Sequence, residues 1–429
     1  MAISSTLAVR IFSVFALGYF LSYALRSVNA AIAPGLVSDL GLSASQLGSL
    51  SSAYLLSFAL MQLPLGGWLD RYGPRRTEAA LLLIAALGCF VFAMSQSYVG
   101  TWLGRALIGV GVSGCLMAAY KGFREYFPQG AQSRLAAWML MAGTAGALTT
   151  TVPVQRLVAI LGWRPVFLVA GALLLISALA IFKGLPKEQQ SENTGRVSKD
   201  APTTSISLTA TAATSATAKR DQLFTLADVV REPYFWRMAL LGVVFTGGFI
   251  ALQSLWLGPW LTNVLAFTPA GAANSLFAFN LVLFLAYLLM GWLMPRAEKR
   301  GVTVPVIAVV LNALGIITLL AASWLTDARY WWIWLVLPAT TTINTLTQTY
   351  INGYFPVALA GRANSLFNLL IFAGAFCWQS GLGLLIDYFK SSGATTVQAY
   401  QQSLWIYIVI AVVTWMAFVA WRPVRPQLS

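Results

Sequence analysis

The chain has 429 residues, of which 58% are hydrophobic and 9% are charged, with a formal net charge of +14 and no histidine. A soluble domain carries about a quarter charged residues, so this composition excludes a soluble globular protein and indicates a membrane protein. The three cysteines lie in apolar runs, too far apart for a metal motif. Neither a disulfide framework nor a zinc site is predicted, and no cofactor is expected.

Apolar runs between turn and charge signals predict twelve membrane-spanning helices, because about 20 apolar residues cross a hydrocarbon core of about 30 Å. The predicted spans are 11–33, 45–69, 78–96, 99–120, 135–155, 164–183, 237–262, 271–294, 302–324, 330–353, 363–386 and 403–421. The first run could alternatively be a signal peptide, since Arg10 precedes it and a small-residue site ends at Ala30. We favour a span, because Arg26 lies between the run and that site.

The first predicted span carries a polar stripe. On a period of 3.6 residues, Tyr19, Ser22, Tyr23, Arg26 and Asn29 share one helical face, and such a face is expected to line a wet cavity. Alternatively, the Arg26 side chain snorkels to the membrane interface, about 10 Å away at 1.5 Å per residue. Snorkelling explains the charge but not the other polar residues of the stripe.

The positions of the acidic residues indicate whether Arg26 has a partner that neutralises its charge. All thirteen acidic residues fall in loops or at the ends of predicted spans, so none is expected to neutralise it. An unpaired charge inside the membrane costs at least ~2.5 kcal/mol, and the guanidinium fork suits a carboxylate or phosphate. Arg26 is therefore predicted to bind an anion. Because only one such arginine is evident, a small organic monoanion fits better than a phosphate ester, with nitrate-like ions as the alternative.

The segment between the second and third spans, "GGWLDRYGPRR" at 66–76, is the most specific motif of the chain. Gly66 is expected to permit close helix approach, and Asp70 to accept hydrogen bonds from a neighbouring helix N-terminus. The arginines of the motif should anchor one membrane surface. A simpler alternative, that they only set the topology, leaves the glycines and Asp70 unexplained.

This segment resembles the G-x-x-x-D-R-x-G-x-R-R signature of the major facilitator superfamily (MFS), and the layout of spans resembles that family over the whole chain. The resemblance implies an all-α membrane fold of twelve helices in two pseudo-symmetric six-helix bundles. It also implies that the first, fourth, seventh and tenth spans line a central cavity, and that the loop is a latch closing the cytoplasmic side. The latch role carries onto Gly66, Asp70, Arg71, Gly73 and Arg75.

The chain divides near its middle. Residues 186–232 are polar and Ser/Thr/Ala-rich, which predicts a partly disordered cytoplasmic linker between bundles at 1–185 and 233–429. A repeated segment supports a duplicated architecture of the two bundles. The sequences "YFPQGAQSR" at 126–134 and "YFPVALAGR" at 354–362 share Tyr-Phe-Pro and an arginine at the same spacing.

Basic residues predict the orientation. Most of the 27 lysines and arginines fall on the side of the N-terminus, and the other side has Arg156, Arg164, Arg329 and Lys390. This positive-inside bias predicts a multi-pass protein of the cell inner membrane with both termini cytoplasmic. It also explains the basic charge without a nucleic-acid partner.

"GRALIGVGVSG" at 104–114 resembles the fourth-span motif of the family, with Arg105 as its arginine. The resemblance links that arginine to proton coupling in some members. The alternative is an arginine satisfied by backbone carbonyls of the first span. The fifth span lacks the G-P-x-x-G-G pattern of proton-driven drug antiporters, which disfavours drug efflux.

Neutral polar residues in the C-terminal spans are candidates for the rest of a substrate site, although each could instead form an interhelical hydrogen bond. They are Gln253, Trp256, Asn280, Asn344, Gln348 and Asn368. Lys121, near the inner end of the fourth span, could draw an anion through or simply anchor that end.

The predicted function is secondary transport of a small organic anion by a monomer in the lipid bilayer, through alternating access. Without a mid-span acid, anion exchange competes with symport, in which a proton travels with the substrate or on a span-end acid such as Asp39, Glu125 or Asp387. Efflux of hydrophobic compounds is the alternative transport function. An enzyme is not predicted, because no histidine, zinc constellation or buried acid pair is available for acid–base chemistry.

Overall fold

The structure is a computed structural model, and it describes residues 5–186, 226–302, 304–347, 351, 354–355 and 357–421. Within these residues the ordered elements are helices, and no strand is present. Most of the predicted linker 186–232 lies outside the described residues, as does Gln348.

The α-helices, in chain order, are α1 Ser5–Ser27, α2 Asn29–Leu40, α3 Ala44–Met94, α4 Tyr98–Val112, α5 Cys115–Tyr126, α6 Gln129–Thr149, α7 Val152–Leu161, α8 Trp163–Gly184, α9 Leu226–Arg231, α10 Pro233–Leu241, α11 Gly247–Ala251, α12 Leu257–Asn263, α13 Pro269–Lys299, α14 Val304–Trp324, α15 Val336–Thr341, α16 Val357–Ser391 and α17 Thr396–Ala420. Two π-helical turns, Gly242–Thr246 and Leu252–Trp256, join α10, α11 and α12 into one span. Two 3₁₀ segments, Ala328–Leu335 and Thr342–Leu346, flank α15.

Ten helical segments of the described chain are long and apolar enough to cross a membrane. Each coincides with a predicted span, and α3 coincides with two of them, 45–69 and 78–96. The predicted span 330–353 falls on the 3₁₀ segments around α15 and runs beyond the described residues. The helical membrane fold is confirmed, and the total of twelve spans stays a prediction.

The two spans within α3 are separated by the loop motif. Gly73 has φ 73° and ψ 169°, a conformation that breaks the helix and that a residue with a side chain adopts only with strain. We call the end of the bundle that carries this residue the Gly73 face. The opposite end, with the left-handed Gly41 between α2 and α3, is the Gly41 face.

Small residues let α3 and α4 pack backbone to backbone. A Cβ atom added at Gly104 would lie 2.7 Å from the backbone nitrogen of Phe92, and one added at Gly88 would lie 2.7 Å from that of Ile108. Gly111 meets the backbone of Ala85 more closely still. This is the packing use of glycine expected in membrane helices, and it contrasts with Gly66, where an added Cβ meets nothing within 4 Å. The expected close approach at Gly66 is therefore wrong.

The N-terminal and C-terminal halves meet along α3 and α16. The Asp387 carboxylate of α16 accepts hydrogen bonds from the backbone N–H groups of Ala44 (3.0 Å) and Ser45 (2.7 Å), at the N-terminus of α3. Further along, the Ser52 and Ser380 hydroxyls lie 2.6 Å apart. Since these contacts start at the first turn of α3, the two halves are joined at the Gly41 face.

The same face is tied within the N-terminal half. The indole of Trp163 donates to the Asp39 carboxylate at 3.0 Å, and the Arg164 guanidinium donates to the same oxygen at 2.7 Å. These two hydrogen bonds lower the pKa of Asp39 below its ordinary value, and the one from Trp163 has the larger effect. The end of α2 is thus fixed to the start of α8.

We expect Gly111→Ala to lower the free energy of unfolding by about 1–3 kcal/mol, because its Cβ would push α4 away from α3. Thermal unfolding of the purified protein in detergent measures this. Gly67→Ala is the matched control, since nothing lies within 4 Å of the added Cβ. Equal stability of the two variants would contradict the packing described for α3 and α4.

We expect the stabilising contribution of Asp39 to depend on pH in a defined direction. Because the folded-state pKa lies below the unfolded value of about 3.9, the contribution is complete above that value and is lost as the pH falls through the folded pKa. The Tm difference between wild type and Asp39→Asn should therefore be small and should shrink further in acid. A difference that grows with acidification would contradict the assignment.

Candidate functional site

Arg26 lies near the end of α1, where aromatic side chains from both halves surround its guanidinium. The guanidinium carbon is 4.6 Å from the ring centre of Tyr23, 5.1 Å from that of Phe58 on α3 and 5.1 Å from that of Phe372 on α16. The Phe58 and Phe372 rings are themselves 4.5 Å apart. Arg26 therefore lies at the contact between the two halves, and not at an outer surface.

The charge of Arg26 has no carboxylate partner among the described residues. The ion pairs between described residues join Lys121 with Asp70, Arg164 with Asp39 and Arg329 with Asp327. The buried Nε of Arg26 has no hydrogen-bond partner. Ring faces attract a cation, by about 2 kcal/mol or more when desolvated, but they carry no net charge. The guanidinium is held in place without being neutralised.

The rest of the polar stripe on α1 lies beside Arg26. Tyr19 is buried, and its ring meets that of Tyr23 edge-on at 4.9 Å. Gly143 of α6 packs against both rings, which leaves them little freedom. Asn29, at the start of α2, is 3% exposed, and its side-chain oxygen has no hydrogen-bond partner. The structure thus brings Tyr19, Tyr23 and Arg26 together, and Asn29 follows Arg26 by three residues.

Breaks in regular helix geometry occur in several of the spans that carry candidate residues. α1 ends at Ser27 and α2 begins at Asn29, and the fourth span breaks between α4 and α5. The freed carbonyls of Val112 and Ser113 accept hydrogen bonds from Ser22 Oγ (3.5 Å) and Gln62 Nε2 (3.3 Å). The seventh span contains its two π turns and the tenth its 3₁₀ segments. Helix breaks of this kind often mark sites in membrane transporters.

Candidates from the seventh and eighth spans are engaged in interhelical hydrogen bonds. Gln253 Nε2 donates to Asn280 Oδ1 at 2.8 Å, and Asn280 Nδ2 donates to the Leu276 carbonyl at 2.8 Å. The Trp256 indole donates to the Gln379 carbonyl at 2.9 Å. Gln253, Trp256 and Asn280 thus form hydrogen bonds within the protein, which was the alternative to a role in substrate binding.

The other C-terminal candidates differ from one another. Asn344 forms a reciprocal amide pair with Asn312, with distances of 3.1 and 3.0 Å, inside the C-terminal half. Asn368 is half-buried and lies one helical turn before Phe372 on α16, so both residues are on one face. Asn368 therefore shares a helix face with a residue that contacts the Arg26 guanidinium.

Arg105 is fully buried, and its NH1 donates to the carbonyl oxygen of Leu25 at 2.9 Å. Leu25 belongs to the last turn of α1, where carbonyls lack helical partners, so a guanidinium there is favourable. The Arg105 side chain also faces the rings of Phe92 (4.7 Å) and Phe167 (5.0 Å). This is the contact with a first-span carbonyl that the structural alternative expects, and it holds α1 one residue before Arg26.

The loop motif forms its own cluster at the Gly73 face. Lys121 Nζ donates to the Leu69 carbonyl and to Asp70 Oδ1, both at 2.7 Å. Asp70 therefore pairs with a lysine side chain, whereas a helix N-terminus was expected. Lys121 belongs with the loop and not with Arg26.

The arginines of the loop motif contact nearby aromatic residues. Arg75 Nε donates to the Phe182 carbonyl at 2.6 Å, near the end of α8, and the guanidinium lies over the Phe182 ring. Arg71 lies over Tyr72. Arg75 is thus anchored to the C-terminus of another helix, where a cation is favourable.

Sequence reasoning missed Phe58, Phe372 and Glu78. The two phenylalanines look like any other apolar residue of a span, and only the folded chain places them against Arg26. Glu78 was expected at the end of a predicted span, and it does follow the Gly73 break closely, but its burial, at 1% exposed, was not predicted. Its position directly before a long apolar run, within one turn of Arg75, was the available signal.

The chain is similar in sequence to a family of membrane transporters. The family model described as Major Facilitator Superfamily matches residues 15–378. The hexuronate transporter of Escherichia coli K12 is 28% identical over 176 residues, which are 41% of this chain and 41% of that protein. The probable sulfoacetate transporter of Cupriavidus necator is 33% identical over 168 residues, 38% of each chain. The matched region thus spans about two fifths of these curated relatives.

Among solved structures, an inward-facing, unoccupied bacterial homologue of the human lysosomal transporter Spinster has a TM-score of 0.75 and 17% identity. It covers 98% of this chain, and this chain covers 100% of it. At this identity the likeness concerns the fold alone.

We expect Lys121→Met to lower the free energy of unfolding more than Asp70→Asn does. The Asp70 side chain is 82% exposed, so the ion pair is worth at most about 1 kcal/mol. The bond from the lysine, whose side chain is 18% exposed, to the Leu69 carbonyl is worth about 1.5–3 kcal/mol. Thermal unfolding distinguishes the two variants, with the exposed Arg124→Gln on the same helix as control. Equal losses would show that the ion pair, and not the carbonyl contact, holds the loop.

Proposed function

The chain belongs to the Major Facilitator Superfamily, and from this premise we propose that it is a secondary transporter of small organic anions. In this proposal the anion binds Arg26 between the two halves, which rock about it to expose the site to one side of the membrane and then to the other. The chain is not proposed to be an enzyme, because the family and the relatives are transporters.

One observation carries the proposal, namely the unneutralised guanidinium at the contact between the halves. A charge inside the membrane is unfavourable by at least ~2.5 kcal/mol, and the ring faces of Tyr23, Phe58 and Phe372 lower this cost without removing the charge. A bound carboxylate or sulfonate would remove it, with two parallel hydrogen bonds to the fork. In this proposal Asn29, whose buried side-chain oxygen lacks a partner, and Asn368 on α16 bind the polar part of such an anion.

The names of the relatives support the substrate class. Hexuronate and sulfoacetate are both small organic acids; a hexuronate carries one carboxylate, whereas sulfoacetate carries a carboxylate and a sulfonate, and the Arg26 fork could bind one acidic group of either. The monocarboxylate matches a single guanidinium better than a phosphate ester of higher charge does.

Alternating access is supported by where the halves touch. The predicted orientation puts the Gly73 face in the cytoplasm and the Gly41 face outside. The Asp387 cap on α3 and the Ser52–Ser380 pair then close the outer side. Opening to the outside requires these contacts to break. The state with the contacts formed and the state with them broken are then the two states that a rocking mechanism needs.

Thermal stability against a panel of ligands tests the proposal. We expect galacturonate or sulfoacetate, but not the uncharged sugar galactose, to raise the Tm of the wild type, because a ligand at a hundredfold excess over its Kd stabilises by about 2.7 kcal/mol. Arg26→Gln should abolish the shift. Arg156→Gln, a change at an exposed arginine of α7, should retain it.

Two results would contradict the proposal. If Arg26→Gln responds to the anions as the wild type does, Arg26 is structural. If only lipophilic cations raise the Tm, the efflux alternative takes its place. Stabilisation by nitrate alone would keep the site and change the substrate class to inorganic anions.

A further inference from the structure

Glu78 is a buried carboxyl group inside the N-terminal bundle. It lies on α3 five residues after Gly73, is 1% exposed, and has one oxygen with no hydrogen-bond partner. None of the ion pairs in the described part of the chain includes it. Ionisable residues inside a membrane are rare and usually functional, so this group requires an explanation that the anion site does not provide.

The surroundings of Glu78 favour its neutral, protonated form. Residues of three helices surround the carboxyl group: Gly18 of α1, Cys115 of α5 with Gly114 before it, and Ser177 of α8, whose hydroxyl lies near Gly18 as the carboxyl group does. The titratable neighbour is the Cys115 thiol, and no lysine or arginine faces the carboxyl group from these described helices. Burial without a cation disfavours the carboxylate relative to the neutral carboxyl group.

The break in the fourth span lies directly against the group. A Cβ atom added at Gly114 would be 2.8 Å from Glu78 Oε2, at the junction where α4 ends and α5 begins. Broken helices in transporters commonly carry coupling-ion sites. The break therefore puts an adjustable joint next to the carboxyl group, where a change of helix angle would alter its access to water.

A chain of polar contacts connects Glu78 with Arg26. The Cys115 thiol faces both the Glu78 carboxyl and the Ser22 side chain. The Ser22 carbonyl accepts a hydrogen bond from the Tyr54 hydroxyl at 3.2 Å, and Tyr54 faces the Arg26 guanidinium. Along α1, Gly18 and Arg26 are about 12 Å apart at 1.5 Å per residue.

We propose that Glu78 is the proton-binding site of the transport cycle, and that the chain carries a proton together with the anion. This inference rests on the proposed function. A bound anion at Arg26 and a carboxylate at Glu78 repel each other, so anion binding favours the protonated carboxyl and, reciprocally, protonation favours anion binding. The proton leaves Glu78 for water on the side to which the site opens, after the anion has left Arg26.

Transport by proteoliposomes separates this role from a structural one, with galacturonate as the probe. Counterflow exchanges labelled for unlabelled galacturonate without net proton movement, whereas uptake driven by a pH gradient requires it. We expect Glu78→Gln, which imitates the protonated carboxyl, to retain counterflow and to lose gradient-driven accumulation. Asp327→Asn, at an exposed surface ion pair, should retain both.

Gradient-driven accumulation by Glu78→Gln at the wild-type level would overturn the inference, as would a wild type that shows counterflow but no response to the gradient. If the wild type transports no galacturonate, that failure concerns the proposed substrate. Whether Glu78 binds and releases a proton is then tested by infrared spectroscopy of the wild type without substrate. The band of its protonated carboxyl, assigned by its loss in Glu78→Gln or by selective glutamate labelling, should decline as the pH is raised. A band that never titrates would overturn the inference.

Discussion

The guanidinium of Arg26, charged and without a carboxylate partner between the two halves, is the constraint to which the surrounding structure responds. A membrane interior offers no water to solvate it, so the chain surrounds it with ring faces, one of which belongs to the opposite half. This arrangement holds the charge at the contact between halves while leaving it able to attract an anion. A carboxylate in place of the rings would have neutralised the guanidinium and removed its attraction for an anion.

Positioning that charge depends on contacts farther from it. Arg105 holds the last turn of α1 through the Leu25 carbonyl, and the close packing of α3 against α4 brings Arg105 within reach. The buried Arg105 thus secures the helix, whereas the half-buried Arg26 has no carboxylate partner among the described residues. The N-terminal half is accordingly charged and aromatic around the site, whereas the described polar residues of the C-terminal half are mostly hydrogen-bonded to one another.

The helical fold and the polar stripe of α1 could be predicted from the sequence because both follow from periodicity, which is local. The loop motif was recognised because its residues are contiguous and resemble a family signature, yet the contact of Asp70 was not predicted, since the Lys121 side chain that binds it comes from another helix. Gly66 and Gly111 look alike in sequence and differ entirely in what surrounds them. Glu78 shows the same limit, because its burial depends on three other helices, and so does the pairing of Phe58 with Phe372 across the halves.

The placement of Arg26 also bears on how the chain is made. Because the chain is made from its N-terminus, α1 with its arginine and Phe58 of α3 are synthesised long before Phe372 of α16. The hydrogen bond from Arg105 to α1 can form as soon as the fourth span is present, which secures the first span during this interval. Until α16 arrives, Arg26 lacks the ring from the opposite half, and a newly made N-terminal bundle would expose it to whatever anion or lipid headgroup is at hand. Completion of the second half therefore covers a charge that the first half leaves partly uncovered during biogenesis.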